Sequence, residues 1–106
     1  MNIESLREHL AVEVMGAKVI EGRKHKIYDF PSGELIYASL WKPDEYDDQA
    51  KTCLETFPRW VASKLKHGYM VLIDPCDNDG NWTKALDQSL SMAVSLTCAK
   101  ATGWKE

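Results

Sequence analysis

The chain of 106 residues has no long apolar run and contains only three cysteines, at positions 53, 76 and 98. No stretch approaches the roughly 20 apolar residues that span a bilayer, so we expect no membrane helix. The amino-terminal segment is charged from Glu4 on and lacks the apolar core of a signal peptide. An odd, scattered set of cysteines is typical of reduced thiols rather than of a disulfide scaffold. The sequence therefore predicts a cytoplasmic protein.

A strong excess of charge is also lacking, since the net charge is −3 and charged residues make up 27%. A general nucleic-acid binder is usually basic, so this balance argues mildly against that class. Hydrophobic residues make up 44%, which is ordinary for a globular protein. The length fits one domain over residues 1–106, long enough to bury a core without disulfides or metal.

Motifs that carry chemistry are missing as well. The sequence has no Cys-x-x-Cys pair and no two histidines at metal-binding spacing. It has neither a glycine-rich phosphate loop nor a Gly-x-Ser-x-Gly nucleophile motif. These absences predict a protein that is not an enzyme and that needs no metal and no cofactor.

The segment Asp77–Gly80 has the composition of a calcium-binding loop. Aligning Gly80 with the loop glycine of such sites places Pro75 and Leu86 where carboxylate ligands belong. Aspartate, asparagine and glycine are also the residues that a tight hairpin turn requires. We therefore interpret the segment as a hairpin turn.

Cys76, beside Pro75, is the candidate nucleophile of an alternative in which the protein is an enzyme. A catalytic thiol needs a histidine positioned next to it. His9, His25 and His67 lie in separate predicted elements, and their spacing does not indicate convergence. Cys53 and Cys98 lie on apolar helix faces, where we expect them to be buried.

Hydrophobic periodicity predicts alternating helices and strands along the chain. The first predicted elements are a helix over Ile3–Met15, ended by Gly16, and three strands over Lys18–Glu21, Lys26–Phe30 and Glu34–Trp41. A long helix follows, which is capped by Asp44, kinked at Pro58 and ended by Gly68. The last elements are two strands over Tyr69–Asp74 and Trp82–Leu86, around a turn at Asp77–Asn81, and a helix over Ser89–Thr102, ended by Gly103. This order predicts an α+β fold, an α/β/α-type sandwich of order α-β-β-(β)-α-β-β-α. We expect a mainly antiparallel sheet, built from residues 18–41 and 69–86, with the helices packed on it.

Three segments resemble the phage ABA sandwich domain family of small phage proteins. They are Leu10–Gly16, the Trp41-Lys42-Pro43 run with the Gln49-Ala50 helix, and Ala93–Trp104. The family has tryptophan directly after Met-Gly, where this chain has Ala17. The resemblance implies a phage or prophage origin and an α/β/α layer fold, and it implies no activity. A phage-encoded protein of this kind would act in the host cytoplasm.

These observations favour a non-catalytic phage accessory protein that binds another macromolecule, such as an anti-CRISPR-like stoichiometric inhibitor of host defence. The expected partner is a host or phage protein, with no membrane partner. The candidate protein-binding residues are the carboxylates of the acidic run, Asp44, Glu45, Asp47 and Asp48. Their field would attract a lysine- or arginine-rich surface. The alternative is a nucleic-acid-binding module that uses the basic hairpin, Arg23, Lys24 and Lys26.

Overall fold

The computed structural model describes residues 1–74 and 81–105, and over these residues the chain has the α+β architecture that the sequence predicts. Its elements are α1 (Ile3–His9), which continues as a π-helical segment (Leu10–Val14), β1 (Lys18–Glu21), β2 (Lys26–Asp29), β3 (Leu35–Tyr37), a 3-10 turn (Ala38–Leu40), α2 (Asp47–Leu54), β4 (Trp60–Leu65), β5 (Gly68–Ile73), β6 (Thr83–Asp87) and α3 (Leu90–Ala101).

The described strands form two separate antiparallel sheets, sheet A in the order β1-β2-β3 and sheet B in the order β4-β5-β6. The prediction of one sheet from residues 18–41 and 69–86 is therefore wrong. The three strands of each sheet are consecutive in the chain, and each strand forms its ladder of hydrogen bonds with a sequence neighbour.

Helix α3 lies at the centre of the fold. Its residues from Ala93 to Ala99 are all buried, as expected for a helix that is apolar on every side. One side packs against β5 and β6, and α2, α1 and the π-helical segment pack around the rest. Sheet B turns Val71, Ile73 and Ala85 toward α3, so these residues define its inner face.

Sheet A joins the core through the aromatic residues of β2 and the segment that follows it. Tyr28 and Phe30 are buried, and the ring of Phe30 lies 5.0 Å from that of Trp41. Trp41 Nε1 donates a hydrogen bond to the carbonyl oxygen of Arg7, 2.9 Å away. The large indole therefore fastens α1 to sheet A.

The predicted long helix is wrong in its second half. Helix α2 ends at Leu54, and Trp60–Leu65 forms strand β4 instead. Pro58 cannot donate the hydrogen bond that would continue the helix, and residues 55–59 form turns. The apolar residues that suggested a helix, Val61 and Leu65, are four positions apart. That spacing also places two side chains on the same face of a strand.

The structure also corrects the two predicted ends of the long helix. Asp44 does not cap α2, because Tyr46 occupies the position before its first residue. Gly68 does not end a helix, because it begins β5 after the two-residue turn Lys66-His67. The predicted third strand shortens to Leu35–Tyr37, while Gly16 and Gly103 follow helix ends with positive φ as predicted. The predicted turn at 77–81 lies almost wholly outside the described residues.

Replacing Ser95 with alanine should stabilise the protein by about 1 kcal/mol. Ser95 is fully buried in α3, and its hydroxyl has no hydrogen-bond partner among the described residues. Burying an unpaired hydroxyl is unfavourable, so removing it should raise the urea midpoint of unfolding.

The matched control is Thr97→Val in the same helix. The Thr97 hydroxyl is also fully buried, but it donates to the carbonyl oxygen of Ala93 at 2.7 Å. Its removal should destabilise the protein by about 1 kcal/mol. A loss of stability in Ser95→Ala would contradict the assignment of an unpaired hydroxyl.

Candidate functional site

The acidic run does not form the free cluster of four carboxylates that the sequence suggests. Asp44 is only 6% exposed, and its Oδ1 and Oδ2 accept hydrogen bonds from Arg7 Nε and Nη2 at 2.7 and 2.9 Å. A two-bond pair with arginine at this depth holds α1 against the start of the α2 segment. Asp44 is therefore a structural residue and presents no charge to a partner.

The other three carboxylates of the acidic run differ in their ion pairs and hydrogen bonds. Glu45 lies 3.2 Å from Arg7 Nη2 and 3.7 Å from Lys42 Nζ, so neighbouring cations offset its charge. Asp47 accepts a hydrogen bond from the buried hydroxyl of Ser91, which links α2 to α3. Asp48 is exposed in the first turn of α2. These contacts leave a weaker field than four free carboxylates would give, and the binding role of the run stays a prediction.

The basic hairpin likewise contains both exposed and ion-paired cations. Arg23 and Lys24 are exposed in the turn between β1 and β2. Lys26 Nζ lies 3.1 Å from Glu8 Oε1, and across the strand pair Lys26 lies opposite Glu21. Among the described residues, Arg23 and Lys24 form no ion pair, and two free cations are a small electrostatic footprint for binding phosphates.

The two described cysteines are placed as packing residues. Cys53 and Cys98 are both fully buried, as expected from their apolar helix faces. Burial raises the pKa of the Cys53 thiol to about 12, and it also raises the pKa of Cys98. A buried thiol with a raised pKa is a poor nucleophile, so neither cysteine has the surroundings of a reactive thiol. Cys76, the thiol of the enzyme alternative, and the segment Asp77–Gly80 lie outside the described residues.

The three histidines lie apart. His9 Nε2 is 2.7 Å from the hydroxyl of Thr102, the ring of His25 packs edge-on against Tyr37, and His67 lies in the turn between β4 and β5. Over residues 1–74 and 81–105, no three His, Cys, Asp or Glu side chains are placed to hold a metal ion. The prediction that the protein is not an enzyme stays untested by this geometry.

A cleft of about 570 Å³ lies beside α1 and β2 and is lined by several charged groups. Its cations are engaged, since Arg7 binds Asp44 and Lys26 binds Glu8. Its two serine hydroxyls, on Ser5 and Ser39, have no histidine in the lining to activate them. The cleft therefore shows no assembled nucleophile and base.

The outer face of sheet B carries more apolar side chains than the outer face of sheet A. Directly opposite residues of an antiparallel pair point to the same face, so the buried Val71 and Ile73 fix the inner face and their sequence neighbours lie on the outer one. The outer face consists of Val61, Ser63 and Leu65 on β4, Met70 and Leu72 on β5, and Lys84 and Leu86 on β6. Five of its seven side chains are apolar.

These apolar residues remain in contact with solvent. Val61, Leu65 and Leu86 are 43%, 42% and 55% exposed, and Met70 and Leu72 on the central strand are half-buried. At the hairpin end of the face, Leu65 and Leu86 line a depression of about 400 Å³. A contiguous apolar patch of this kind on a folded domain is a candidate binding surface.

Sheet A also exposes apolar residues on its outer face. Ile20, Leu35 and Tyr37 are exposed there, beside the charged pair Lys18 and Asp29. This face is the smaller of the two, because β3 contributes only three residues. It is therefore the weaker candidate for a binding surface.

Sequence reasoning missed the sheet B face because it assigned Val61 and Leu65 to a helix. The signal that could have identified the strand was the combination of Pro58, the β-forming pair Trp60-Val61 and the Lys66-His67-Gly68 turn before an apolar run.

No protein-family model, no curated protein and no solved structure matches this chain. Among the described residues, no helix is long and apolar enough to cross a membrane.

The stability of the protein should fall as the pH drops below about 6.5, in part through His9. Burial of the ring lowers the pKa of His9 below its ordinary value of 6.5, against the opposing charge of Glu13. The unfolded chain then binds the proton more readily. The contribution of His9 is complete above pH 6.5 and is lost as the pH falls through its folded pKa.

Urea unfolding of His9→Gln, measured at neutral pH and at about pH 5, should show a smaller pH dependence than the wild type. His25→Gln is the control, because His25 is exposed. An unchanged pH dependence in His9→Gln would contradict this role.

Proposed function

We propose that this protein is non-catalytic and works by binding another protein through the outer face of sheet B. The observation that supports the proposal best is the uncovered apolar face itself. Its central residues Met70 and Leu72 are flanked by Val61 and Leu65 on one side and Leu86 on the other. Covering such a face removes apolar surface from water, which is the main driving force of protein association.

The polar residues of the same face suit this use. Ser63 and Lys84 lie on the edge strands, one on each side of the apolar centre. An apolar centre with polar residues around it is the usual anatomy of an interface between proteins. The acidic run supports the proposal less well, because Asp44 is held by Arg7 and Asp47 binds Ser91.

We further propose a phage origin and a role as a stoichiometric inhibitor of host defence. The support is the resemblance of three segments to the phage ABA sandwich family, together with the small size of the chain and the lack of a catalytic motif. The partner on this account is a host or phage protein. Nucleic acid, bound at Arg23 and Lys24, is the alternative partner.

Replacing Leu86 with lysine should weaken partner binding by at least about tenfold, since an apolar contact beside the central residues is lost and a charge is buried in the interface. Tagged protein is produced in the source cells, and captured proteins are quantified by mass spectrometry. Proteins that bind the outer face are those that the wild type captures and the Leu86→Lys variant does not.

Three variants serve as controls for this capture. Leu35→Lys makes the same substitution at an exposed leucine of sheet A, away from the proposed face, and should leave binding intact. Asp47→Lys with Asp48→Lys tests the acidic run, and Arg23→Glu with Lys24→Glu tests the basic hairpin. Loss of capture in either double variant, with Leu86→Lys unaffected, would overturn the proposed surface.

A further inference from the structure

We propose that two copies of this chain pair through the free edge of β4 and form a continuous six-stranded sheet. β4 is an edge strand of sheet B, with β5 on one side and no strand on the other among the described residues. It is six residues long, and five of these residues are exposed. An edge of this length with exposed apolar residues is a template for pairing with another strand.

The hydrogen-bond pattern shows which groups β4 offers. Leu65 pairs with Gly68 across a two-residue turn, and the carbonyl of Arg59 accepts from Asp74 N at 3.1 Å. In an antiparallel ladder the bonded residues alternate, so the odd-numbered residues of β4 bond to β5. Ala62 and Lys64 consequently direct their N–H and C=O groups to the free edge.

The occupant is a second copy because β4 is complementary to itself in one register. A two-fold axis through Ser63 places Val61 opposite Leu65 of the other copy, and it does so twice. Lys64 then lies opposite Ala62, which brings two edge-directed residues together as a hydrogen-bonded pair. Directly opposite residues point to the same face, so Val61 and Leu65 of both copies lie on the outer face of the joined sheet.

The neighbouring registers are poorer. An axis through Lys64 places the two Lys64 side chains opposite each other, which is unfavourable for like charges. An axis through Ala62 places Val61 opposite Ser63 and leaves Leu65 opposite Arg59. Of these three registers, only the one through Ser63 joins Val61 to Leu65 without placing like charges opposite each other.

This pairing goes beyond the proposed partner binding and does not depend on it. It places the outer faces of the two sheets side by side, so that Val61 and Leu65 lie at the centre of one doubled apolar surface. A symmetric interface of this kind is the commonest arrangement of protein dimers.

Sedimentation or light scattering of the purified wild type should give twice the chain mass of 12.0 kDa. Ala62→Pro should give the monomer, because it removes an edge-directed N–H that has no acceptor among residues 1–74 and 81–105. Ser63→Lys should also give the monomer, since it places two charges opposite each other. Leu86→Lys, on the far strand β6, should remain a dimer even where it loses partner binding.

The register is tested by oxidation in a Cys76→Ser background. Ser63→Cys should form an intermolecular disulfide, because the two residues form a non-hydrogen-bonded pair with Cα atoms about 4.5 Å apart. Ala62→Cys should not. A wild type that stays monomeric at all concentrations, a dimer that survives Ser63→Lys, or crosslinking through Ala62→Cys instead would overturn the proposal. Monomeric wild type would leave the edge to a strand from a different protein.

Discussion

Replacing Arg7 with methionine should destabilise the protein by about 2–4 kcal/mol. Methionine keeps much of the apolar stem but leaves the carboxylate of Asp44, whose side chain is 4% exposed, without its partner. An unpaired buried charge is strongly unfavourable, and the partial exposure of Arg7 at 21% moderates the loss. The free energy of unfolding from urea titration measures the effect.

Two further variants separate the buried pair from surface charge in general. Asp44→Asn in the Arg7→Met background should recover part of the stability, because a neutral amide is less costly to bury than a carboxylate. Lys26→Met breaks the exposed pair with Glu8 and should change stability by less than about 1 kcal/mol. Equal effects of Arg7→Met and Lys26→Met would contradict the structural role assigned to Asp44.

Replacing Gly68 with alanine should destabilise the protein by roughly 2–3 kcal/mol. Gly68 has a φ of +152°, and a Cβ on it would lie 2.6 Å from the carbonyl oxygen of Asp87. The added methyl group would therefore push β6 away from the start of β5 and disturb the outer face of sheet B.

Gly33→Ala is the matched control for Gly68→Ala. Gly33 also has a positive φ, +91°, but a Cβ there meets nothing within 4 Å. Its substitution should cost about 1 kcal/mol from backbone strain alone. Thermal unfolding measures both variants. If they lower the unfolding temperature equally, the close approach of the Asp87 carbonyl does not contribute to the loss of stability.

The parts of the fold that could be predicted are those in which periodicity and termination signals agree. The last helix, confirmed as Leu90–Ala101, has a serine before it and a glycine two residues after it. Its length and its apolar residues are typical of a buried helix. The strand after Gly68 is a continuous apolar run, and it is confirmed as the central strand of sheet B.

The errors arise where a pattern fits two structures. Val61 and Leu65, four residues apart, satisfy both a helix and a strand, and the pairing with β5 selects the strand. Asp44 reads as a helix cap in the sequence, but its position close to Arg7, 37 residues earlier, is a tertiary contact that no local pattern contains. The outer face of sheet B depends on the strand assignment, so it could not be derived before the fold.

Amide hydrogen exchange of the complex with a captured partner tests the central proposal most directly. If the outer face of sheet B binds the partner, exchange should slow in β5 and β6, around Met70, Leu72 and Leu86, relative to the free protein. The turn at Arg23 and Lys24 and the first turn of α2 at Asp48 should exchange as before. Protection confined to that turn or to the start of α2, with β5 and β6 unchanged, would contradict the account.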